Sequence, residues 1–162
     1  MRKEMTAQEA FSRLASLCAK SEHCEHDMTE KMRLWGVDAD TQAQVMEKLV
    51  SGRYVDDERY ARAFVRDKIR YGKWGRRKIG QALRMKRIND DIVDDILDAI
   101  DDEEYLNVLR PIVKQKLRTT HAANDYELRM KVTKYVLGRG FTLDIIRQCL
   151  DTDDIADTDN GE

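Results

Sequence analysis

Apolar residues recur along this chain at helical spacing. Ile79, Leu83, Ile88, Ile92 and Ile96 mark its middle, and Met28, Met32, Val37, Thr41 and Val45 repeat the pattern 51 residues earlier. Val132, Val136, Phe141, Ile145 and Cys149 repeat it again 53 residues later. Steps of four, broken by one step of five, describe helices joined by a turn rather than the alternation of a strand. A second echo lies at helix starts. Asp56-Asp57-Glu58-Arg59-Tyr60 returns 45 residues on as Asp101-Asp102-Glu103-Glu104-Tyr105. Acids at a cap and in a first turn suit the positive end of a helix. The two shifts differ by eight residues, which places an insertion in the third copy around Thr119–Asn124.

Each copy reads as three helices. In the first, Thr6-x-x-Glu9 is a capping box that opens a helix to Lys20. Helices over Cys24–Trp35, stopped by Gly36, and from Asp40 to Ser51-Gly52 follow. The second copy predicts helices over Asp57–Arg70, Gly75–Lys86 and Asp90–Ile100. The third predicts Asp102–Leu117, Asp125–Leu137 and Leu143–Leu150, with Pro111 placed to kink or split the first of them. The expected fold is all-α, three tandem three-helix repeats forming an elongated, curved array. Its parts are residues 1–52, 53–100 and 101–150, with an acidic, disordered tail over 151–162.

Composition narrows the function classes. Charged residues make up 37% of 162, well above the quarter usual in globular domains. No apolar run is long enough for a membrane span, and the start lacks the apolar stretch of a signal peptide. Three cysteines are too few for a disulfide scaffold. These features predict a cytoplasmic protein with no membrane contact, and with no evident dimerisation helix the chain is expected to be a monomer.

The net charge of −2 conceals segregation. Arg53–Ile88 holds thirteen basic residues and four acids, a net +9. Asn89–Glu104 holds nine acids and no base, and 151–162 holds six acids and no base. Such blocks create local fields that the total hides. On a helical projection of 57–70, Ala61, Phe64, Val65 and Ile69 share one face. Arg59, Arg62, Arg66 and Arg70 fall opposite. In the next helix Ile79, Ala82 and Leu83 point inward, and Arg77, Gln81 and Arg84 outward. The connection adds Lys73 and Trp74 between Gly72 and Gly75, and Arg76 follows.

These ten residues, Arg59, Arg62, Arg66, Arg70, Lys73, Trp74, Arg76, Arg77, Gln81 and Arg84, form the candidate partner- or DNA-binding surface. Guanidinium forks suit phosphate and carboxylate groups. The competing reading is a solvated helix face. Asp67 is the only acid between Arg59 and Arg76, which favours binding. Trp74 reads either as a platform for a base or partner side chain, or as a plug between two helices.

Catalytic and metal signals are weak. Cys18, His23, Cys24 and His26 lack zinc-site spacing. The acids from Asp90 to Asp98 interleave with isoleucines at helical period instead of forming a calcium loop. No phosphate-binding glycine loop or nucleophile elbow occurs. The expectation is a binding protein without catalytic residues, cofactor or metal.

Tyr54-Val55-Asp56-Asp57-Glu58-Arg59-Tyr60-Ala61-Arg62-Ala63-Phe64-Val65, followed by Gly75-Arg76-Arg77-Lys78-Ile79-Gly80-Gln81-Ala82-Leu83, resembles the central signature of the RecX family of recombinase regulators. Gly36-Val37-Asp38 supports the likeness, whereas Lys86-Arg87-Ile88 departs from the family's usual glycine before the apolar residue. The resemblance implies a regulator that binds the RecA recombinase filament on single-stranded DNA, in its groove. It implies inhibition of recombinase, ATPase and co-protease activity, and so modulation of recombination and the SOS response. Two other classes fit the residues: a helix-turn-helix DNA-binding regulator, and a helical scaffold without nucleic-acid contact.

Overall fold

The computed structural model describes residues 4–159, and side chains as far as Asp151. Among the described residues there are nine helices and no strand. They are α1 (Ala7–Lys20), α2 (Glu25–Leu34), α3 (Ala39–Ser51), α4 (Asp57–Arg70), α5 (Arg76–Met85), α6 (Asp90–Asp98), α7 (Asp102–Thr119), α8 (Asp125–Gly138) and α9 (Leu143–Asp159). The all-α expectation and its three-helix repeats hold. Two features of the third repeat differ from the sequence reading. Pro111 does not split α7, because Leu106, Leu109 and Val113 bury one stripe of that helix and hold it together while the proline ring sits on the exposed side. α9 is traced to Asp159 instead of stopping at Leu150, and the rest of the expected disordered tail, with its side chains beyond Asp151, lies outside the described residues.

The chain packs as two compact units. One holds residues up to Phe64 together with Leu83–Val93; the other holds Val65–Ala82 and the residues from Asp94 onward. In the first unit α3 packs on α1 and α2. Ala10, Leu14, Met28, Met32, Val45 and Leu49 form its core, and Phe11 and Trp35 pack against it. In the second unit α7, α8 and α9 pack on one another. Val132, Val136, Ile146 and Cys149 are buried there with the α7 stripe.

The way the second helix of each repeat begins is informative. α2 follows Cys24, which makes no side-chain capping bond, yet the orphan amide of Glu25 must find an acceptor. It donates to Oδ1 of Asp57, on α4, at 2.8 Å. α5 follows Gly75, which has no side chain to offer. The Arg77 amide donates to the Gly140 carbonyl at 3.0 Å, and the Gly75 amide to the Arg139 carbonyl at 2.8 Å. In both cases the following repeat supplies the cap. α8 begins one turn earlier than its counterparts and caps itself. Asn124 accepts from the Glu127 amide at 2.8 Å, and Glu127 accepts from the Ala123 amide at 3.0 Å. The insertion expected around Thr119–Asn124 is the segment that brings this cap.

The same helices end alike. Gly36, Arg87 and Gly140, equivalent under the 51- and 53-residue shifts, have φ of 74°, 57° and 95°. Past each, the next amide bonds back five residues: Val37 to Met32, Ile88 to Leu83 and Phe141 to Val136. These are Schellman turns. The second repeat makes the turn with an arginine, at a steric cost that glycine avoids.

Two stability predictions arise from these junctions. Arg87→Gly is expected to stabilise the protein by about 0.5–1 kcal/mol, relief of the left-handed strain outweighing the added unfolded-state entropy. A denaturation midpoint that stays or falls would show that Arg87 is not strained. Asp57→Ala is expected to cost about 1 kcal/mol through loss of the α2 cap. Gly75→Ala should cost more, about 3 kcal/mol, because the new Cβ would overlap the backbone of Gly140 and Phe141. The order of the two losses in chemical denaturation checks the junction.

Candidate functional site

The sequence-predicted surface residues divide between the units. Arg59, Arg62 and Arg84 lie in the first; Arg66, Arg70, Lys73, Trp74, Arg76, Arg77 and Gln81 lie in the second. Their environments differ. Arg59 is half-buried. Its Nε meets Glu22 at 2.7 Å, and its Nη2 donates to the carbonyls of Arg53 and Tyr54. It ties the start of α4 to the α1–α2 connection. Arg62 pairs with Glu58 one turn earlier at 2.8 Å, as the four-residue spacing predicts. Arg84 lies 3.4 Å from Asp90.

In the second unit Arg76 pairs with Asp98, so one of the acids C-terminal to the basic block is spent on it. Arg66 and Arg77 are exposed, and their side chains form no ion pair with any described residue. Gln81 is exposed one turn beyond Arg77. Arg70, also exposed, lies over the ring of Tyr71. These exposed groups are where a polyanion meets least competition from the protein's own carboxylates.

Trp74 is half-buried. The ammonium groups of Lys68 and Lys78 stand over its ring at 4.6 and 4.4 Å. An incoming base would have to displace a lysine to stack there. The ring instead holds two cations at the edge of the arginine surface. Lys73 adopts φ 55° in the α4–α5 turn.

Sequence reasoning missed Arg139. Its Nη1 donates to the carbonyls of Gly72 and Lys73 at 3.3 and 3.2 Å, and its Nε to Tyr135 Oη at 3.3 Å. The signal was present in the repeat. Arg139 is the counterpart of Lys86, and both precede the left-handed residue of their turn. Lys86 also reaches back to the preceding repeat, where its Nζ meets Asp27 at 2.6 Å. Burial opposes ionisation of Asp27, but the hydrogen bond and charge of Lys86 prevail and hold its carboxyl below the usual range.

A cavity of about 230 Å³ opens beside Arg76, bounded by Asp102, Tyr105 and Asp144. Tyr105 is 3% exposed and its hydroxyl has no hydrogen-bond partner. Burial pushes its phenol up to about 12, as it does that of Tyr60 in the first unit. Among the described residues no group of three or more histidines, cysteines or acids is placed to hold a metal, and no helix is long and apolar enough to cross a membrane.

Residues 56–97 match the family model described as the second three-helix domain of RecX, and 102–150 that of the third. The chain belongs to the RecX family. Among curated relatives, the protein named Regulatory protein RecX of Acinetobacter baylyi is 28% identical over 92% of this chain and 91% of its own length. Those of Lactobacillus johnsonii and Clostridium botulinum are 26% and 28% identical. The chain spans only 47% and 58% of their lengths. Two solved structures share the fold. The crystal structure of RecX from Lactobacillus salivarius has a TM-score of 0.85 at 19% identity, over 92% of this chain and 97% of that one. A second, titled as regulatory protein RecX, has 0.82 at 22%, over 90% and 73%.

Alkaline titration tests the buried phenols. A tyrosine whose folded pKa is raised from 10 to about 12 contributes stability below pH 10 that is lost as pH rises toward 12. Tyr105→Phe is expected to reduce that loss and, by removing an unsatisfied hydroxyl, to keep or raise stability at pH 7. Denaturation midpoints between pH 8 and 11.5 measure both; a variant clearly weaker at pH 7 would mean the hydroxyl is satisfied.

Proposed function

We propose that this protein binds the RecA filament on single-stranded DNA, in the filament groove, and inhibits its recombinase, ATP-hydrolysing and co-protease activities, so modulating recombination and the SOS response. Membership of the RecX family supports the regulatory class. The observation that carries the surface is the exposure of Arg66 and Arg77 without any carboxylate partner, beside Arg70 and Gln81. A filament interior that combines phosphate with protein carboxylates offers ligands to unpaired guanidinium forks, each able to make two parallel charge-assisted hydrogen bonds. Arg59, Arg62, Arg76 and Arg84 are already paired, so a partner must compete with Glu22, Glu58, Asp98 and Asp90 for their hydrogen bonds. Exposed pairs of this kind are weak, so exchange with a stronger anion is cheap. Lys68 and Lys78, held over Trp74, extend the positive surface.

The test is RecA ATP hydrolysis on single-stranded DNA, titrated with this protein and with an Arg66→Glu/Arg77→Glu variant whose fold is checked by circular dichroism. The expected result is inhibition by the unaltered protein at well below one molecule per recombinase. The variant should need about tenfold more, a loss of about 1.4 kcal/mol. Inhibition kept by the variant would discard this surface. No inhibition by the unaltered protein, even in excess, would discard the function, and specific binding of either protein to duplex DNA would point to a DNA regulator instead.

A further inference from the structure

We propose that the second unit carries another docking site, a cleft lined by α7, α8 and the α4–α5 turn that takes an acidic segment of a partner protein bearing an aliphatic side chain. The cleft measures about 490 Å³. Arg70, Lys73, Lys116 and Arg139 line it, and no acid does. Val108, Pro111 and Ile112 form an apolar floor between these cations. A cationic rim around an aliphatic floor complements an apolar anchor flanked by carboxylates.

One detail makes the site suit a peptide. Arg139 is already fixed by the carbonyls of Gly72 and Lys73, so little order is lost when a carboxylate approaches it. A nucleic-acid base fits less well. Tyr135 is the one ring in the lining, and Lys116 Nζ stands 4.1 Å over it while Arg139 bonds its hydroxyl. Stacking would have to break both contacts. Only Arg70 and Lys73 are shared with the arginine surface, so the two sites can be tested apart.

The test uses the full chain and a fluorescein-labelled peptide of Asp and Glu with one central Leu, read by fluorescence anisotropy. Saturable binding is expected. It should weaken about tenfold or more in Lys73→Glu/Lys116→Glu, in Ile112→Gln, and when the peptide Leu is replaced by Ser. The peptide substitution leaves the protein untouched and decides the matter if a variant misfolds. Arg66→Glu/Arg77→Glu should retain peptide binding, which separates this site from the recombinase reading. Absence of saturable binding, or binding indifferent to all three changes, would overturn the proposal. So would an oligodeoxythymidine that displaces the peptide and shows the same losses, which would assign the cleft to nucleic acid. Peptide binding seen only after truncation following Leu150 would assign it to the chain's own acidic tail.

Discussion

An α-helix cannot leave its first amides without acceptors, and in this protein two helices begin where no local side chain can supply one. Cys24 makes no cap bond and Gly75 has no side chain, so α2 and α5 depend on acceptors more than thirty residues away in sequence. Asp57 serves the first, and the Arg139–Gly140 carbonyls serve the second. Much else about the repeats is arranged around these bonds. The Gly75–Gly140 contact requires that neither residue carry a Cβ, since one at Gly140 would overlap Lys78 as one at Gly75 would overlap Phe141. The backbones can therefore approach closely, and the turns on both sides are held in register. A repeat that completes its neighbour's helix shares its stability with that neighbour, as expected of stacked arrays.

The left-handed turn that closes each second helix extends the same arrangement. The residue just before each left-handed position is Trp35, Lys86 or Arg139. Where that residue is basic it reaches the repeat before it: Lys86 to Asp27 in the first unit, Arg139 to the Gly72–Lys73 carbonyls in the second. Arg139 thereby fixes the α4–α5 turn, whose Lys73 is itself left-handed. That turn carries Lys73 and Trp74, so a residue outside the basic block shapes the surface the block presents.

Charge segregation along the sequence becomes a sorting of arginines in space. Acids from other segments neutralise part of the basic block: Glu22 meets Arg59, Asp90 meets Arg84 and Asp98 meets Arg76. Arg66 and Arg77, exposed and without an ion pair to any described residue, mark a smaller and more specific surface than a count of thirteen bases suggests. The block's bases thus serve two ends: some hold the repeats together and others face outward for a ligand.

The sequence alone determined the helices, the repeat and the family. Apolar spacing of three and four residues survives any tertiary context, and Thr6, Asp38 and Asn124 announce their helices by side-chain caps that act within three residues. The outward arginines were legible for the same reason, since a helix fixes which residues share a face. Tertiary structure alone decided which of those arginines are spoken for, because Glu22, Asp90 and Asp98 lie on other elements and an ion pair depends on distance in space. It also decided the continuity of α7 through Pro111, where packing of Leu106, Leu109 and Val113 outweighs one lost hydrogen bond. Last, it placed Arg139 beside a turn 66 residues earlier, a contact no local pattern encodes. The repeat hints at it only through Lys86, whose reach toward Asp27 is likewise a fact of the folded chain.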